Sequence, residues 1–397
     1  MTKMKKQWFA ALMAMAAVVG FSACSKSGSS AASGAKDSVI RIASGSPLSG
    51  GQAAAGKDFA NGAQLAVDEI NAKGGIDVAG KKYTLELVPE DDQADPKTGA
   101  TVAQKIVDDK SIVAVVGHYN SGVTMVANPI YAKGNLASLT VSTNPDVTLK
   151  APKLSDGSTS IFRMDAHDGI QGPALATFAQ KNGVKKLAVL DDATAYGKGL
   201  GDQVEKKAKE LGLDVSLRES ATDKTVDFKA ILTKIKAAGV DGIMWGGYDD
   251  TGAILSKQAR ELGITAILLM PDTACTDNYI KLADDAGEGA ICSSTSVPLD
   301  NMANGAAFRA NYDKHFPGQV VQAYAPLSYD AVYVVAEAIK LAGAPHDSLK
   351  IAAALPKVKF AGLTGTIAFE PNGERLNAEI AILQLKDKVF KVVEILK

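Results

Sequence analysis

Residues 112–124 read IVAVVGHYNSGVT. The opening run IVAVV is apolar without interruption, which is typical of a strand buried on both faces. Gly117 ends the run, and a helical pattern begins at Ser121. A strand that turns into a helix through polar residues presents hydroxyls and unpaired backbone N–H groups at its carboxyl end. The stretch therefore predicts an α/β unit whose strand end holds a ligand.

The strand-then-helix pattern repeats along the chain in two series. The strand-like runs are 39–45, 83–90, 112–117 and 136–141, then 186–192, 214–220, 242–248, 266–272 and 290–296. A long helix is predicted over 326–344, and the tail 363–395 has strand character. Strands alternating with helices predict parallel sheets covered by helices, and two series predict two similar α/β domains. Ligands of such sheets bind outside the carboxyl ends of the strands.

The N-terminus indicates export. Residues 1–23 combine three lysines with an uncharged run of 14 residues from Trp8 to Phe21, short of the roughly 20 that span a bilayer. This is the pattern of a signal peptide. Cys24 follows FSA and resembles the cysteine of a bacterial lipoprotein box, so residues 24–37 are predicted to be a lipidated Cys24 and a flexible tether. The alternative is a secreted protein cut nearby; either places the chain in the periplasm or cell envelope.

Charge and metal-ligating residues exclude several classes of partner. Without residues 1–23 the chain keeps 40 basic and 44 acidic side chains, a net charge of −4. No basic run predicts nucleic-acid binding. The four histidines show no metal-ligand spacing, so neither metal nor cofactor is expected. Cys275 and Cys292 either form a disulfide or remain two buried thiols.

One motif supports the alternative of an enzyme. Residues 51–58 read GQAAAGKD, which matches the GxxxxGK of a phosphate-binding loop. Asp58 stands where that loop needs a Ser or Thr hydroxyl for Mg²⁺, so we favour Asp58 as the cap of a helix over 59–72. His118 lies three residues from Ser121, but no third partner of a catalytic triad is evident. The sequence thus favours binding over catalysis.

The residues that follow the strands suit a zwitterionic ligand. They are hydroxyls (Ser121, Ser142, Thr143), aromatic rings (Tyr119, Tyr196, Tyr248) and one acid (Asp272). Hydroxyls and N–H groups at a helix start bind a carboxylate, an acid binds an ammonium, and rings hold a side chain. The structural alternatives are an N-cap for Ser121, packing for Tyr248 and capping or ion pairing for Asp272.

The chain resembles the leucine/isoleucine/valine-binding protein family over nearly all of residues 38–390. The resemblance is carried by SPLSGGQAAAGKDFANGAQLAVDEINAKGGI, EDDQADPKTGATVAQKIV, VVGHYNSGVT, STNPDVT, FRMDAHDGIQGP, YGKGL and GGYDDTGAILSKQARELG. It implies a type I periplasmic-binding-protein fold with two lobes and three crossovers, near 163–166, 296–299 and 368–371. The implied lobes are 38–163 with 298–368, and 164–297 with 369–397.

The resemblance also implies roles for single residues. Ser121 matches the serine that binds the ligand's α-carboxylate in the family. Thr143 matches the threonine that contacts both the carboxylate and the ammonium. Ser142 falls beside the backbone carbonyl that accepts a hydrogen bond from the ammonium. Tyr196 and Tyr248 match wall tyrosines, and Asp272 falls at the acid for the ammonium.

The chain departs from the family pattern next to Ser121 and in the first loop. Tyr119 and Asn120 replace smaller or apolar residues, and Ala55 replaces a common aromatic. The side-chain pocket is therefore rebuilt, and leucine is not implied as the ligand.

The function implied by the resemblance is that of a substrate-binding lipoprotein of an ABC importer. Such a protein is expected to be monomeric, to catalyse no reaction, and to deliver an amino acid, branched-chain or related, to permease subunits in the membrane. The alternative is a sensor of the same fold for an amide or other small molecule.

Overall fold

The computed structural model describes residues 38–396. Its first sheet comprises, within these residues, β1 (Val39–Ser46), β2 (Ile76–Val78), β3 (Lys81–Asp91), β4 (Ile112–Gly117), β5 (Ser138–Thr140) and β6 (Ile161–Arg163). The strand order is β2-β3-β1-β4-β5-β6, and every neighbouring pair except β2-β3 is parallel. The two short strands β2 and β6 carry no periodic signal long enough to predict from sequence.

The second sheet contains the later strands. The remaining strands are β7 (Lys186–Asp191), β8 (Asp214–Ser220), β9 (Gly242–Gly246), β10 (Ile267–Met270), β11 (Ile291–Ser294), β12 (Phe360–Gly362), β13 (Gly365–Ile367), β14 (Ile380–Lys386) and β15 (Val389–Leu396). The order in the sheet is β15-β14-β11-β10-β9-β7-β8, and β12 pairs with β13 separately. The strands β14 and β15 from the tail join it antiparallel.

Helices connect the strands. They are α1 (Ala53–Ala72), α2 (Pro96–Asp108), α3 (Ser121–Lys133), α4 (Asp146–Leu149), α5 (Asp168–Lys181), α6 (Ala195–Glu210), α7 (Lys229–Ala238), α8 (Asp249–Glu261), α9 (Asp277–Ala283), α10 (Gly305–His315), α11 (Ala325–Ala342) and α12 (Ser348–Ala354). Short 3₁₀ turns occupy Asp272–Ala274, Asp284–Gly287, Leu299–Asn301 and Leu355–Lys357. Every residue of β4 is buried, as expected for a central strand of a parallel sheet.

The pair Asp95-Pro96 is typical in sequence of a helix start, an N-cap acid followed by a proline, and the structure confirms that start. Asp95 is the N-cap of α2, its carboxylate accepts a hydrogen bond from the backbone N–H of Thr98, and Pro96 is the first helical residue. A proline at this position loses no hydrogen bond, because the first N–H groups of a helix have no partner inside it.

The predicted cap at Asp58 is wrong. The helix α1 begins at Ala53, so Asp58 lies inside it. Its carboxylate accepts hydrogen bonds from the backbone N–H groups of Gln322 at 2.8 Å, Tyr324 at 3.0 Å and Ala325 at 2.8 Å. Asp58 therefore provides the hydrogen-bond acceptor for backbone N–H groups at the start of α11, more than 260 positions later in the chain. Burial raises the pKa of the Asp58 carboxyl group to about 6.

The two cysteines of the described region lie together. Cys275 and Cys292 form a disulfide with a Cα–Cα separation of 5.8 Å. The two cysteines are 17 positions apart in sequence, and the disulfide links the segment after β10 to β11.

No helix within residues 38–396 combines the length and hydropathy that a membrane span needs. The predicted signal peptide, Cys24 and the tether lie outside the described residues.

Candidate ligand-binding site

A small cavity lies between the carboxyl ends of the strands of the two sheets. It is lined by Tyr119, Ser121, Val141, Thr143, Tyr196, Tyr248, Asp272, Thr273 and Tyr324. The structure therefore brings together six of the residues predicted from sequence, namely Tyr119, Ser121, Thr143, Tyr196, Tyr248 and Asp272. Two others, Asn120 and Ser142, do not line it.

Ser121 is the first residue of α3 and reaches the cavity at the helix N-terminus. It is not the N-cap, because Asn120 holds that position. The hydroxyl oxygen of Ser121 accepts a hydrogen bond from the backbone N–H of Asn144 at 3.3 Å. Because the first N–H groups of a helix have no partner inside it, this end of α3 favours an anion.

Backbone alternation decides which neighbours reach the cavity. Asn120 has an extended backbone, with φ −85° and ψ 132°, and successive side chains of an extended chain point to opposite sides. The Asn120 side chain therefore does not line the cavity. Its amide N–H group donates to the hydroxyl of Tyr248 at 2.9 Å and to Gln52 Oε1 at 2.6 Å.

The same rule separates Ser142 from its neighbours. Val141 and Thr143 line the cavity, whereas the Ser142 hydroxyl donates to the backbone carbonyls of His118 at 3.1 Å and Tyr119 at 3.2 Å. Ser142 thus stabilises, through these two hydrogen bonds, the loop that contains Tyr119.

A buried histidine supports the same loop. The ring nitrogens of His118 lie 2.6 Å from Asp92 Oδ2 and 2.7 Å from the hydroxyl of Tyr131. His118 is fully buried and both its ring nitrogens are engaged, so it is not placed as a base for Ser121.

Asp272 is the acid within the cavity lining. Its Oδ1 accepts from Gln171 Nε2 at 2.7 Å and from the hydroxyl of Tyr196 at 2.8 Å, and its Oδ2 accepts from the hydroxyl of Tyr324 at 2.8 Å. Burial raises its pKa, and these three donors oppose that rise. A carboxylate offers about four acceptor positions, so Asp272 retains capacity for a further donor.

A second buried acid, Asp168, lies next to Thr143 but does not line the cavity. Its backbone N–H donates to the carbonyl of Thr143 at 2.8 Å, and it begins α5. The Thr143 side chain provides its carboxyl group with a hydrogen-bonding neighbour, and no other donor among the described residues bonds either oxygen. Burial, followed by the charge of Asp272, raises the pKa of Asp168 to about 8.

The guanidinium group of Arg163, the cation near these two acids, already forms an ion pair with Glu374. The Arg163 Nε donates to Glu374 Oε2 at 2.8 Å, and, in the part of the chain that is described, no Lys or Arg lines the cavity. Two buried acids, Asp168 and Asp272, therefore lie next to the hydroxyls of Ser121 and Thr143 with no Lys or Arg of the described chain in the lining. Within residues 38–396, no cluster of His, Cys, Asp and Glu is arranged to hold a metal ion.

Comparison with known proteins assigns the family. The family model described as periplasmic binding protein matches residues 39–389. The chain belongs to this family. The match covers the first sheet, the second sheet up to the start of β15, and every residue that lines the cavity.

Similar proteins are known by sequence and by structure. A Leu/Ile/Val-binding protein homolog of Brucella abortus is 32% identical over 374 residues, covering 94% of each chain. A leucine-, isoleucine-, valine-, threonine- and alanine-binding protein of Pseudomonas aeruginosa is 32% identical over 385 residues, covering 96% of this chain and 97% of its own.

Among solved structures, a branched-chain amino acid transporter substrate-binding protein of Streptococcus pneumoniae, in complex with isoleucine, superposes with a TM-score of 0.81. It is 27% identical, and the match covers 90% of this chain and 99% of that one. The resemblance to the leucine/isoleucine/valine-binding proteins and the type I periplasmic-binding-protein fold are thereby confirmed.

Sequence reasoning missed four positions around the cavity of this periplasmic binding protein. They are Val141, Thr273 and Tyr324 in the lining, and Asp168 behind it. Asp168 lies in the stretch FRMDAHDGIQGP, immediately after a predicted crossover, and an acid in the first turn of a helix there was the available signal. Tyr324 precedes a predicted helix but follows no strand of the pattern, so the rule of strand ends did not select it.

Proposed function

We propose that the protein is the extracytoplasmic substrate-binding component of an ABC importer and binds an amino acid in the cavity between the two sheets. The names of its relatives support this role, since they describe amino-acid-binding proteins and a transporter substrate-binding protein. The role requires binding and release and assigns no reaction to the site.

The observation that carries the proposal is the pairing of unlike groups around one cavity. Ser121 at a helix N-terminus and the hydroxyl of Thr143 suit the α-carboxylate. Asp272, with the second buried acid Asp168 next to Thr143, suits the α-ammonium. A buried acid costs free energy unless a cation or donor compensates it, so an ammonium group would satisfy what the described side chains leave open.

The proposed mechanism is closure of two lobes over the amino acid. We assign the lobes to residues 38–163 with 298–368, and 164–297 with 369–397, joined at the three predicted crossovers. The amide of Asn144 donates to the Ala195 carbonyl at 2.7 Å, a contact from one sheet's side to the other. Closure removes water from the cavity and strengthens each charged contact, and a permease would then recognise the ligand-bound form.

The ligand screen uses Trp245 as a reporter. Trp245 is fully buried, and its indole N–H donates to the carbonyl of Tyr248 at 3.2 Å, so a ligand that moves Tyr248 is expected to change Trp245 emission. The purified protein is unfolded to strip ligand, refolded and titrated with each amino acid, with calorimetry in parallel. Ligand at about 100 times its Kd should add roughly 2.7 kcal/mol to the free energy of unfolding.

The control ligand is the deaminated analogue of whichever amino acid binds. It should bind far more weakly, because Asp272 and Asp168 would remain without a cation. Equal binding of the analogue, or no binding of any amino acid, would refute the amino-acid proposal.

Membrane attachment is proposed through Cys24. Cys24→Ala is expected to yield protein that carries no lipid and is released from membranes, with Cys275 and Cys292 left intact for folding. Cell fractionation and mass spectrometry of both proteins provide the measurement. Identical fractionation of wild type and variant would contradict the anchor.

A further inference from the structure

Four tyrosine rings line the cavity and pack against one another. The ring of Tyr119 meets that of Tyr324 edge to face, with centroids 4.8 Å apart and an interplanar angle of 86°. It also lies 6.1 Å from the ring of Tyr248, which is 5.4 Å from that of Tyr196. Contacts at these distances are favourable between aromatic rings, so the four rings form one packed group.

Hydrogen bonds hold three of these rings in place. The hydroxyls of Tyr196 and Tyr324 both donate to Asp272, and the hydroxyl of Tyr248 accepts from the amide of Asn120. All four tyrosines are buried. Rotating one of these three side chains away would leave a buried polar group without its hydrogen-bond partner, which costs free energy.

The packing leaves little room. About 10 Å³ of the cavity is open to the centre of a water molecule, close to the minimum of about 10–15 Å³ that holds one water. An amino acid must therefore separate the rings to enter, and each further side-chain carbon must displace them more. Tyr119 has no hydrogen bond to Asp272 or Asn120, and its side chain hydrogen-bonds Tyr324 instead. Its ring packs between those of Tyr324 and Tyr248, which their own hydrogen bonds hold in place.

We propose that Tyr119 determines specificity by filling the side-chain pocket, so that the ligand is an amino acid with a short side chain: glycine, alanine or serine. This inference rests on the proposed function. It narrows that function to small α-amino acids and excludes leucine, isoleucine and phenylalanine as preferred ligands.

The test compares alanine with leucine by calorimetric titration of the wild-type protein. One extra methylene in a fitted pocket changes affinity by about 10- to 200-fold, so leucine should bind at least about 100-fold more weakly than alanine. Tyr119→Leu removes the ring and should raise the affinity for leucine about 10-fold or more relative to alanine. Tyr119→Phe keeps the ring and removes only the hydroxyl that bonds Tyr324. Whatever its absolute affinity, it should still bind alanine more tightly than leucine, because the ring still fills the pocket.

The outcomes separate the two proposals. Wild-type protein that binds leucine as tightly as alanine would overturn the size limit and leave the amino-acid function standing. A wild-type preference for alanine that Tyr119→Leu leaves unchanged would overturn the role of Tyr119. If Tyr119→Leu does not fold, as judged by its thermal midpoint, the wild-type ranking still decides the size limit. Protein that binds no amino acid at all would overturn the proposed function itself.

Discussion

Asp272→Asn is expected to weaken amino-acid binding by roughly 30- to 5,000-fold. Truncating one partner of a buried, hydrogen-bonded charge pair costs about 2–5 kcal/mol, and about 1.4 kcal/mol corresponds to a factor of ten in Kd. Asparagine keeps the size of the side chain, so the loss reports charge. The donors from Gln171, Tyr196 and Tyr324 hold the carboxylate in one orientation, so it is positioned in advance for the ammonium group that we propose binds there.

The matched control is Asp330→Asn. Asp330 is also fully buried and accepts from the backbone N–H groups of Leu363 at 2.9 Å and Thr364 at 2.7 Å, but it does not line the cavity. This variant should lower the free energy of unfolding and change the Kd by less than about threefold. Calorimetric titration of both variants makes the comparison. Unchanged affinity in Asp272→Asn would place the ammonium site elsewhere.

Asp168→Asn is expected to change stability and affinity in opposite directions. The pKa of Asp168 is about 8 in the folded chain, above the ordinary aspartate value of about 3.9. The folded protein therefore keeps a proton that the unfolded chain releases as the pH rises from about 4 to 8. Folding stability falls with pH across this window because the folded state binds more protons.

Asparagine removes this penalty. Above pH 8, Asp168→Asn should be more stable than wild type in the absence of ligand, and the difference should vanish near pH 4, where both forms are neutral. Urea unfolding at pH 4, 6 and 8.5 provides the measurement. A constant difference between the two proteins at all three pH values would show that burial does not raise the pKa of Asp168.

Ligand binding should release a proton from the same group. An ammonium beside Asp168 favours its ionised form, so at pH 7 the wild-type protein should lose up to one proton on binding. The calorimetric enthalpy should then depend on the ionisation enthalpy of the buffer in wild type and far less in Asp168→Asn, whose affinity should also fall. A wild-type enthalpy that is the same in all buffers would exclude Asp168 from the ammonium site.

Local periodicity was sufficient to predict the architecture. The apolar run of β4 and its repeats fall at spacings that require a strand followed by a helix, and the structure has strands at every run predicted in the two series. The cap at Asp95 was predictable for the same reason, because its partner Thr98 lies three residues away. Patterns that depend on neighbours within one turn or one strand are visible in the sequence.

The candidate site was predictable where it follows from that architecture. Ser121, Thr143, Tyr196, Tyr248 and Asp272 all follow the ends of strands, and the carboxyl ends of parallel strands meet at one edge of a sheet. The order of the elements groups Ser121 with Thr143 at the first sheet, and the three other residues at the second; the tertiary structure brings the two groups to one cavity. The family resemblance added the chemical role expected of each residue.

The α/β fold class, the two strand series and the strand ends that carry the site follow from residue patterns alone. The tertiary structure alone decided where individual side chains point and which distant residues join them. Asp58 reaches Ala325 across 267 positions and Asp272 reaches Tyr324 across 52, while Ser142 turns away between two residues that face the cavity. Such contacts depend on packing and backbone direction in three dimensions, which no local period encodes.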